Sequence, residues 1–113
     1  MKRYVAASNS DEYRKVLRKV ADDIVDLLYK EDISQVELWN YKLYEPIDRI
    51  GIVEVYINGD WKHDHWRADE LVQENFKIIK SSSYATEDTG SDWGPEVHSY
   101  YVYLPDYAEG EQL

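Results

Sequence analysis

Apolar side chains recur at helical spacing over residues 10–30, and charged side chains fill most of the positions between them. Positions three and four apart lie on one side of a helix, so this pattern predicts a long amphipathic helix. Ser10 and the two acidic residues after it suit the beginning of such a helix. The predicted apolar stripe consists of Tyr13, Val16, Leu17, Val20, Ala21, Ile24, Leu27 and Leu28.

Four later segments have the β-branched and aromatic content that is typical of strands. They cover residues 34–46, 49–57, 76–84 and 97–104. In the first segment Val36 and Leu38 share one face, whereas Tyr41 and Leu43 share the other. This change of face predicts a bulge or burial on both sides of the strand. The short link between the first two segments predicts an antiparallel hairpin.

A turn at Asn58 and Gly59 and a short helix over residues 64–75 are predicted between the second and third strands. The order is therefore α-β-β-α-β-β, which favours an α+β fold. We predict one long and one short helix packed on a mostly antiparallel sheet of about four strands. Residues 1–104 should form a single domain, and residues 105–113 should form a mobile acidic tail.

The composition restricts the environment and the chemistry of the protein. The 113 residues include no cysteine, which excludes disulfides and thiolate metal sites and fits a reducing compartment. The N-terminal residues lack the apolar core of a signal peptide, and no apolar run is long enough to span a membrane. These features predict a cytoplasmic protein that does not bind membranes.

The stretch "NGDWKHDHWRADEL" concentrates candidate polar chemistry in Asp60, His63, Asp64 and His65. Imidazole and carboxylate groups together suit zinc or another transition metal. However, His63 and His65 lie on either side of the predicted helix start, where their rings diverge, and no further ligand stands at a recognisable spacing. We predict instead that Asp64 is the helix N-cap, His63 is solvated and His65 is half-buried.

A histidine and an aspartate from the same stretch could also act as a general acid and base. The chain has no cysteine nucleophile, and its serines lie in no nucleophile motif. It also lacks a glycine-rich phosphate loop, a Walker lysine and an H-E-x-x-H motif. We therefore predict that the protein is not an enzyme, with no catalytic residue, metal ligand or cofactor. An enzyme or metal protein built around residues 60–65 is the third alternative.

The charge distribution is one-sided. The formal net charge is −10, and the last basic residue is Lys80, after which seven acidic residues follow without lysine or arginine. Such a segment attracts a basic partner and repels nucleic acid, which is bound mainly through cations. Trp61 and Trp66 are candidate aromatic contacts, although they could instead pack on the sheet edge and the helix start. The predicted partner-binding residues are Glu87, Asp88, Asp92, Trp93, Glu96, Tyr107, Trp61 and Trp66.

In its size, acidity, lack of cysteine and content of eleven tyrosines and four tryptophans, the whole chain resembles small counter-defence proteins of phages and mobile elements. These include anti-restriction and type II anti-CRISPR proteins. The resemblance implies an inhibitor, or DNA mimic, that occupies the basic nucleic-acid-binding surface of a defence nuclease such as Cas9. The resemblance concerns only the size, the charge and the order of elements of the chain, so it assigns no role to any residue. The alternative is a small cytosolic protein-interaction module, able to dimerise through its tyrosine-rich sheet, without nucleic-acid mimicry.

Overall fold

The structure is a computed structural model that describes residues 10–33, 35–44, 49–86 and 93–104. It confirms the predicted α+β class and the order α-β-β-α-β-β. The bounds of the long helix are also confirmed. The elements are α1 (Ser10–Lys30), β1 (Val36–Leu43), β2 (Ile50–Asp60), a π-helical turn (Trp61–Trp66), α2 (Arg67–Asn75), β3 (Ile78–Ala85) and β4 (Trp93–Tyr103).

The four strands form one sheet in the order β1-β2-β4-β3, and every neighbouring pair is antiparallel. Because side chains alternate along a strand, Val53, Val55 and Ile57 of β2 share one face of the sheet. Their partners across the ladder are Tyr100, His98 and Glu96 of β4. This face carries the helices, and it positions the polar side chains of β4 beneath α2.

The apolar stripe of α1 forms the centre of the core. Its residues Leu17, Val20, Ile24 and Leu28 are completely buried, and they join β2, α2 and β4 in one cluster. Leu27 is only partly buried at the side of this cluster. Helix α1 packs closely against the sheet at Gly51, where an added Cβ would lie 3.2 Å from Leu17 Cδ2.

The predicted irregularity of β1 is confirmed as a bulge. The register with β2 shifts between Leu38 and Asn40, which leaves Trp39 as the extra residue. The Trp39 side chain is 53% exposed, and its ring stacks on Tyr56 with centroids 5.2 Å apart. Tyr56 alternates with the buried residues of β2, so this aromatic pair lies on the face of the sheet away from the helices.

The predicted turn at Asn58 and Gly59 is wrong. Both residues belong to β2, where they pair with Pro95 and Gly94 of β4. Glycine is required here by close packing, because a Cβ on Gly59 would lie 2.7 Å from Cγ of Asp64. The chain leaves the sheet only after Asp60 and then forms the π-helical turn.

The predicted N-cap is also wrong, since Asp60 and not Asp64 caps the helical region. Asp60 Oδ1 accepts hydrogen bonds from the amides of Lys62 and His63, at 2.9 and 2.8 Å. Asp64 is buried, and its Oδ2 accepts from the amide of Asp60 at 2.7 Å. The two carboxylates thus close the start of the turn reciprocally, in the manner of a capping box.

The loop predicted over residues 85–96 is shorter at both ends. β3 includes Ala85 and β4 begins at Trp93, because Trp93 continues the ladder opposite Asp60. Residues 87–92 and the predicted tail, residues 105–113, lie outside the described residues. Within the described part of the chain, no helix combines the length and apolarity needed to cross a membrane.

The packing of α1 predicts unequal costs for two identical substitutions. Leu17 is fully buried, so Leu17→Ala should lower the free energy of unfolding by about 2–5 kcal/mol. Leu27→Ala should cost clearly less, since a partly buried side chain gives up less apolar contact. Urea unfolding followed by circular dichroism measures both. Equal losses, or none at Leu17, would contradict the described packing.

Candidate functional site

A cluster of titratable side chains lies where α2 and the π-helical turn cover β4. Glu96 and His98 are two apart on β4 and therefore point to the same, helix-facing side of the sheet. His65 and Asp69 are four apart in the helical region and reach the strand from above. We call His65, Asp69, Glu96 and His98 the histidine–carboxylate cluster.

His65 is 1% exposed and is held through both ring nitrogens. Its Nε2 lies 2.8 Å from the carbonyl oxygen of Gly94. A carbonyl oxygen only accepts, so Nε2–H is the donor. The other nitrogen, Nδ1, lies 2.9 Å from His98 Nε2 and 3.5 Å from Glu96 Oε2.

His98, also 1% exposed, is oriented from its opposite side. Its Nδ1 lies 3.1 Å from Asp69 Oδ1, and it donates its hydrogen to that carboxylate. Both histidines therefore use their outer nitrogens as donors, and their inner nitrogens face each other. If both imidazoles are neutral, Nδ1 of His65 and Nε2 of His98 each carry a lone pair, and these lone pairs repel each other. The contact consequently requires either a proton on one inner nitrogen or a cation bound by both.

Asp69 is itself fixed by Tyr100, whose hydroxyl donates to Asp69 Oδ1 at 2.6 Å. Burial acts to raise the pKa of Asp69, but the hydrogen bonds from His98 and Tyr100 outweigh it and hold this pKa below its usual value. Burial, followed by the charge of Asp69, raises the pKa of Tyr100. Asp69 is therefore an ionised acceptor at neutral pH, and Tyr100 is a permanent donor to it.

Glu96 completes the cluster as a second carboxylate. It is 8% exposed, and its Oε2 lies 3.9 Å from His98 Nε2 as well as 3.5 Å from His65 Nδ1. The ring of Trp61 covers His65, with centroids 4.5 Å apart. Buried carboxylates need compensating positive charge, so the cluster is suited to hold a proton or a metal cation.

The predicted partner-binding residues that the structure describes have different surroundings. Glu96 lies in the histidine–carboxylate cluster and not on an acidic surface. Trp66 is 62% exposed, whereas Trp61 is partly buried, with its ring against His65. Trp93 lies opposite Asp60 in the sheet. The remaining members of the set lie outside the described residues: Glu87, Asp88, Asp92 and Tyr107.

The two histidines of the stretch "NGDWKHDHWRADEL" have different environments. His63 is a surface residue, as predicted, with its side chain 67% exposed and Nδ1 3.0 Å from Asp64 Oδ1. His65 is fully buried and not half-buried as predicted. His98 and Asp69 were not identified from the sequence as members of this site. The signals in the sequence that could have indicated them are a histidine two residues after Glu96 and an aspartate four residues after His65.

Comparison with protein-family models, with curated proteins and with solved structures found no match to this chain. No residue role is therefore carried over from a relative.

The support that Tyr100 gives to Asp69 is measurable. Tyr100→Phe removes the donor to the ionised carboxylate of Asp69, whose side chain is 39% exposed. Hydrogen bonds to charged groups contribute about 1.5–3 kcal/mol, and solvent screening reduces this contribution. The free energy of unfolding should therefore fall by an amount at the lower end of that range. Tyr84→Phe is the matched control, because Tyr84 is 52% exposed in β3 and should be nearly silent. An equal effect at both tyrosines would show that Tyr100 does not anchor the cluster.

Proposed function

We propose that the protein is an acidic inhibitor that occupies the basic nucleic-acid-binding surface of a defence nuclease of the Cas9 or restriction type, in the cytoplasm of the host cell. The observation that carries the proposal is the charge after Lys80, where seven acidic residues occur without lysine or arginine. Six of them remain for a partner, since Glu96 is committed to the histidine–carboxylate cluster.

Thr86 and Trp93, which flank the acidic segment 87–92 in the sequence, both lie at one end of the sheet. The amide of Thr86 donates to the carbonyl oxygen of Pro95 at 3.2 Å, and Trp93 pairs with Asp60. The π-helical turn starts at the same end, and it carries the exposed Trp66. An exposed tryptophan is of the residue type that is enriched at the centre of protein-binding surfaces, and acidic residues suit the polar rim around such a centre.

The proposed mechanism is electrostatic replacement of DNA. Carboxylates of segment 87–92 stand in for phosphates opposite lysine and arginine side chains, with which they form charge-assisted hydrogen bonds. Such pairs accelerate association and select the partner more than they add affinity. Binding should therefore weaken as salt rises, and duplex DNA should compete for the same surface.

Charge reversal tests this mechanism. The partner is captured from cell extract, identified and titrated with the purified protein. Reversal of Glu87, Asp88 and Asp92 together to lysine should weaken binding by at least about 100-fold, because like charges would then face each other. The affinity of the unaltered protein should fall with salt and with added duplex DNA. Binding that is indifferent to the triple reversal, to salt and to DNA would refute the proposal.

A charge-matched control separates a local effect from a change in net charge. Asp11, Asp22 and Asp26 are exposed on α1, and their reversal to lysine changes the total charge by the same amount. This control should retain most of the affinity, with a weaker salt dependence. Circular dichroism of both triple variants confirms that they are folded. Equal weakening by the two variants would mean that only the overall charge matters.

The sheet face away from the helices favours a second candidate, a protein-interaction module without mimicry. Trp39, Tyr44 and Tyr84 are 53%, 37% and 52% exposed. Tyr44 also meets Tyr101 edge to face, with centroids 5.8 Å apart. Exposed aromatic side chains of this kind are typical of interfaces, including those between two copies of a chain.

The acidic inhibitor and the protein-interaction module predict opposite effects of the same substitutions on binding. If the aromatic face is the interface, replacing Trp39 and Tyr84 together by alanine should abolish binding or dimerisation, whereas the reversal of Glu87, Asp88 and Asp92 should have little effect. Binding should then vary little with salt. Sedimentation velocity of the purified protein, with and without the captured partner, distinguishes self-association from binding to another protein.

A further inference from the structure

We propose that the histidine–carboxylate cluster is a zinc site, with His65 Nδ1, His98 Nε2 and Glu96 Oε2 as ligands. All three residues are buried, and the three atoms lie within 4.8 Å of one another. This inference is independent of the proposed inhibitor function. It also revises the sequence-based prediction that His65 is not a ligand, since its partners come from β4 and not from residues 60–64.

The spacing of the three atoms fits zinc. They are separated by 2.9, 3.5 and 3.9 Å. A point equidistant from three atoms at those separations lies about 2.0 Å from each, and zinc bonds to imidazole nitrogen and carboxylate oxygen measure about 2.0–2.2 Å. Tetrahedral ligands at this bond length are roughly 3.3 Å apart, so the two nitrogens need to separate by only a few tenths of an ångström.

The outer hydrogen bonds already prepare both histidines for a metal. His65 Nε2 donates to the Gly94 carbonyl, and His98 Nδ1 donates to Asp69. Metal-bound histidines almost always donate their other N–H to a carbonyl or a carboxylate, which fixes the tautomer and the ring. Here the same bonds leave Nδ1 of His65 and Nε2 of His98 without a hydrogen, so that both can bind one cation. A zinc ion bound by both atoms removes the repulsion between their lone pairs.

Charge balance supports the same occupant. Two carboxylates adjoin the histidines: Glu96 is buried and is the third ligand, and the half-exposed Asp69 lies behind His98. A cation at the three ligand atoms would compensate a buried carboxylate directly. The described ligands number three, which leaves a fourth coordination position for water or another group. Two imidazoles and one carboxylate are nitrogen and oxygen donors of the type that zinc accepts.

The site would tie the π-helical turn to the sheet. His65 belongs to the turn, whereas Glu96 and His98 belong to β4. Zinc binding should therefore stabilise the native chain, because the ligands come together only in the folded protein. π-Helical turns occur frequently at functional sites, and this turn supplies one of the three ligands.

The experiment uses the full-length protein, stripped of metal by a chelator and titrated with zinc against a chromogenic competitor. We expect one zinc per chain and a higher melting temperature with zinc. Cobalt should bind at the same site and give the visible spectrum of a four-coordinate ion. His98→Gln and Glu96→Gln should each weaken zinc binding by at least about 100-fold, and Asp69→Asn, a positioning change, by about 10–100-fold.

His63→Gln is the matched control, because His63 is two residues from His65 but is exposed and turned towards Asp64. It should bind zinc like the unaltered protein. Circular dichroism establishes whether each variant is folded, and the melting temperature of the unaltered chain provides a readout that does not depend on any variant.

Three results would overturn the proposal. The first is an unaltered chain that binds zinc no more tightly than Glu96→Gln and melts at the same temperature with or without it. The second is a loss of zinc in His63→Gln as large as that in His98→Gln. The third is a nuclear magnetic resonance signal of a proton shared by His65 and His98 that persists in excess zinc, which would identify the cluster as a proton site.

Discussion

The contact between His65 and His98 determines how the second half of the chain lies on the sheet. His65 can reach β4 only because the π-helical turn buries two consecutive residues, Asp64 and His65. Asp64 in turn requires the absence of a side chain at Gly59. Once the turn is fixed in this way, α2 leaves it with Ala68, Leu71 and Val72 directed into the core, and Asp69 is brought to the far side of His98. The polar contact of His65 with His98 thus acts together with the apolar packing of α2 to fix the direction of that helix.

The helix-facing side of the sheet is divided between two kinds of packing. Under α1 the contacts are apolar, and they supply the nondirectional burial on which a domain of this size depends. Under α2 the strand presents Glu96, His98 and Tyr100, each of which has a defined polar partner. A polar network of this kind is costly if any member lacks its partner, but when satisfied it selects one arrangement. The α1 side is thus packed by apolar contacts, whereas the α2 side adds a group of titratable side chains to the apolar contacts of Ala68, Leu71 and Val72.

The sequence predicted those features that depend on an uninterrupted local pattern. The stripe of α1 has the period of a helix over its full length. The change of face in β1 between Leu38 and Tyr41 predicted either a bulge or burial on both sides, and a bulge is observed. The predictions failed where contacts between residues far apart in the sequence determine the local structure. Asn58 and Gly59 have turn chemistry, but pairing with β4 extends β2 through them. The last strand was predicted to begin after Glu96, so the alternation that places Glu96 beside His98 was not apparent. Without that alternation, His65 had no partner.

By its position in the sequence Glu96 belongs to the acidic residues after Lys80, but its burial places it in the histidine–carboxylate cluster instead. Among the seven acidic residues after Lys80 it has two histidines as neighbours within 4 Å, so its charge acts inside the fold and adds little to the external field. The π-helical turn connects the histidine–carboxylate cluster with the surface, since His65 points inwards and the adjacent Trp66 is exposed. A binding surface is more effective when the side chains behind it are fixed. A cation bound by the cluster would therefore also hold Trp66 more rigidly, because the turn cannot move outwards without separating His65 from β4.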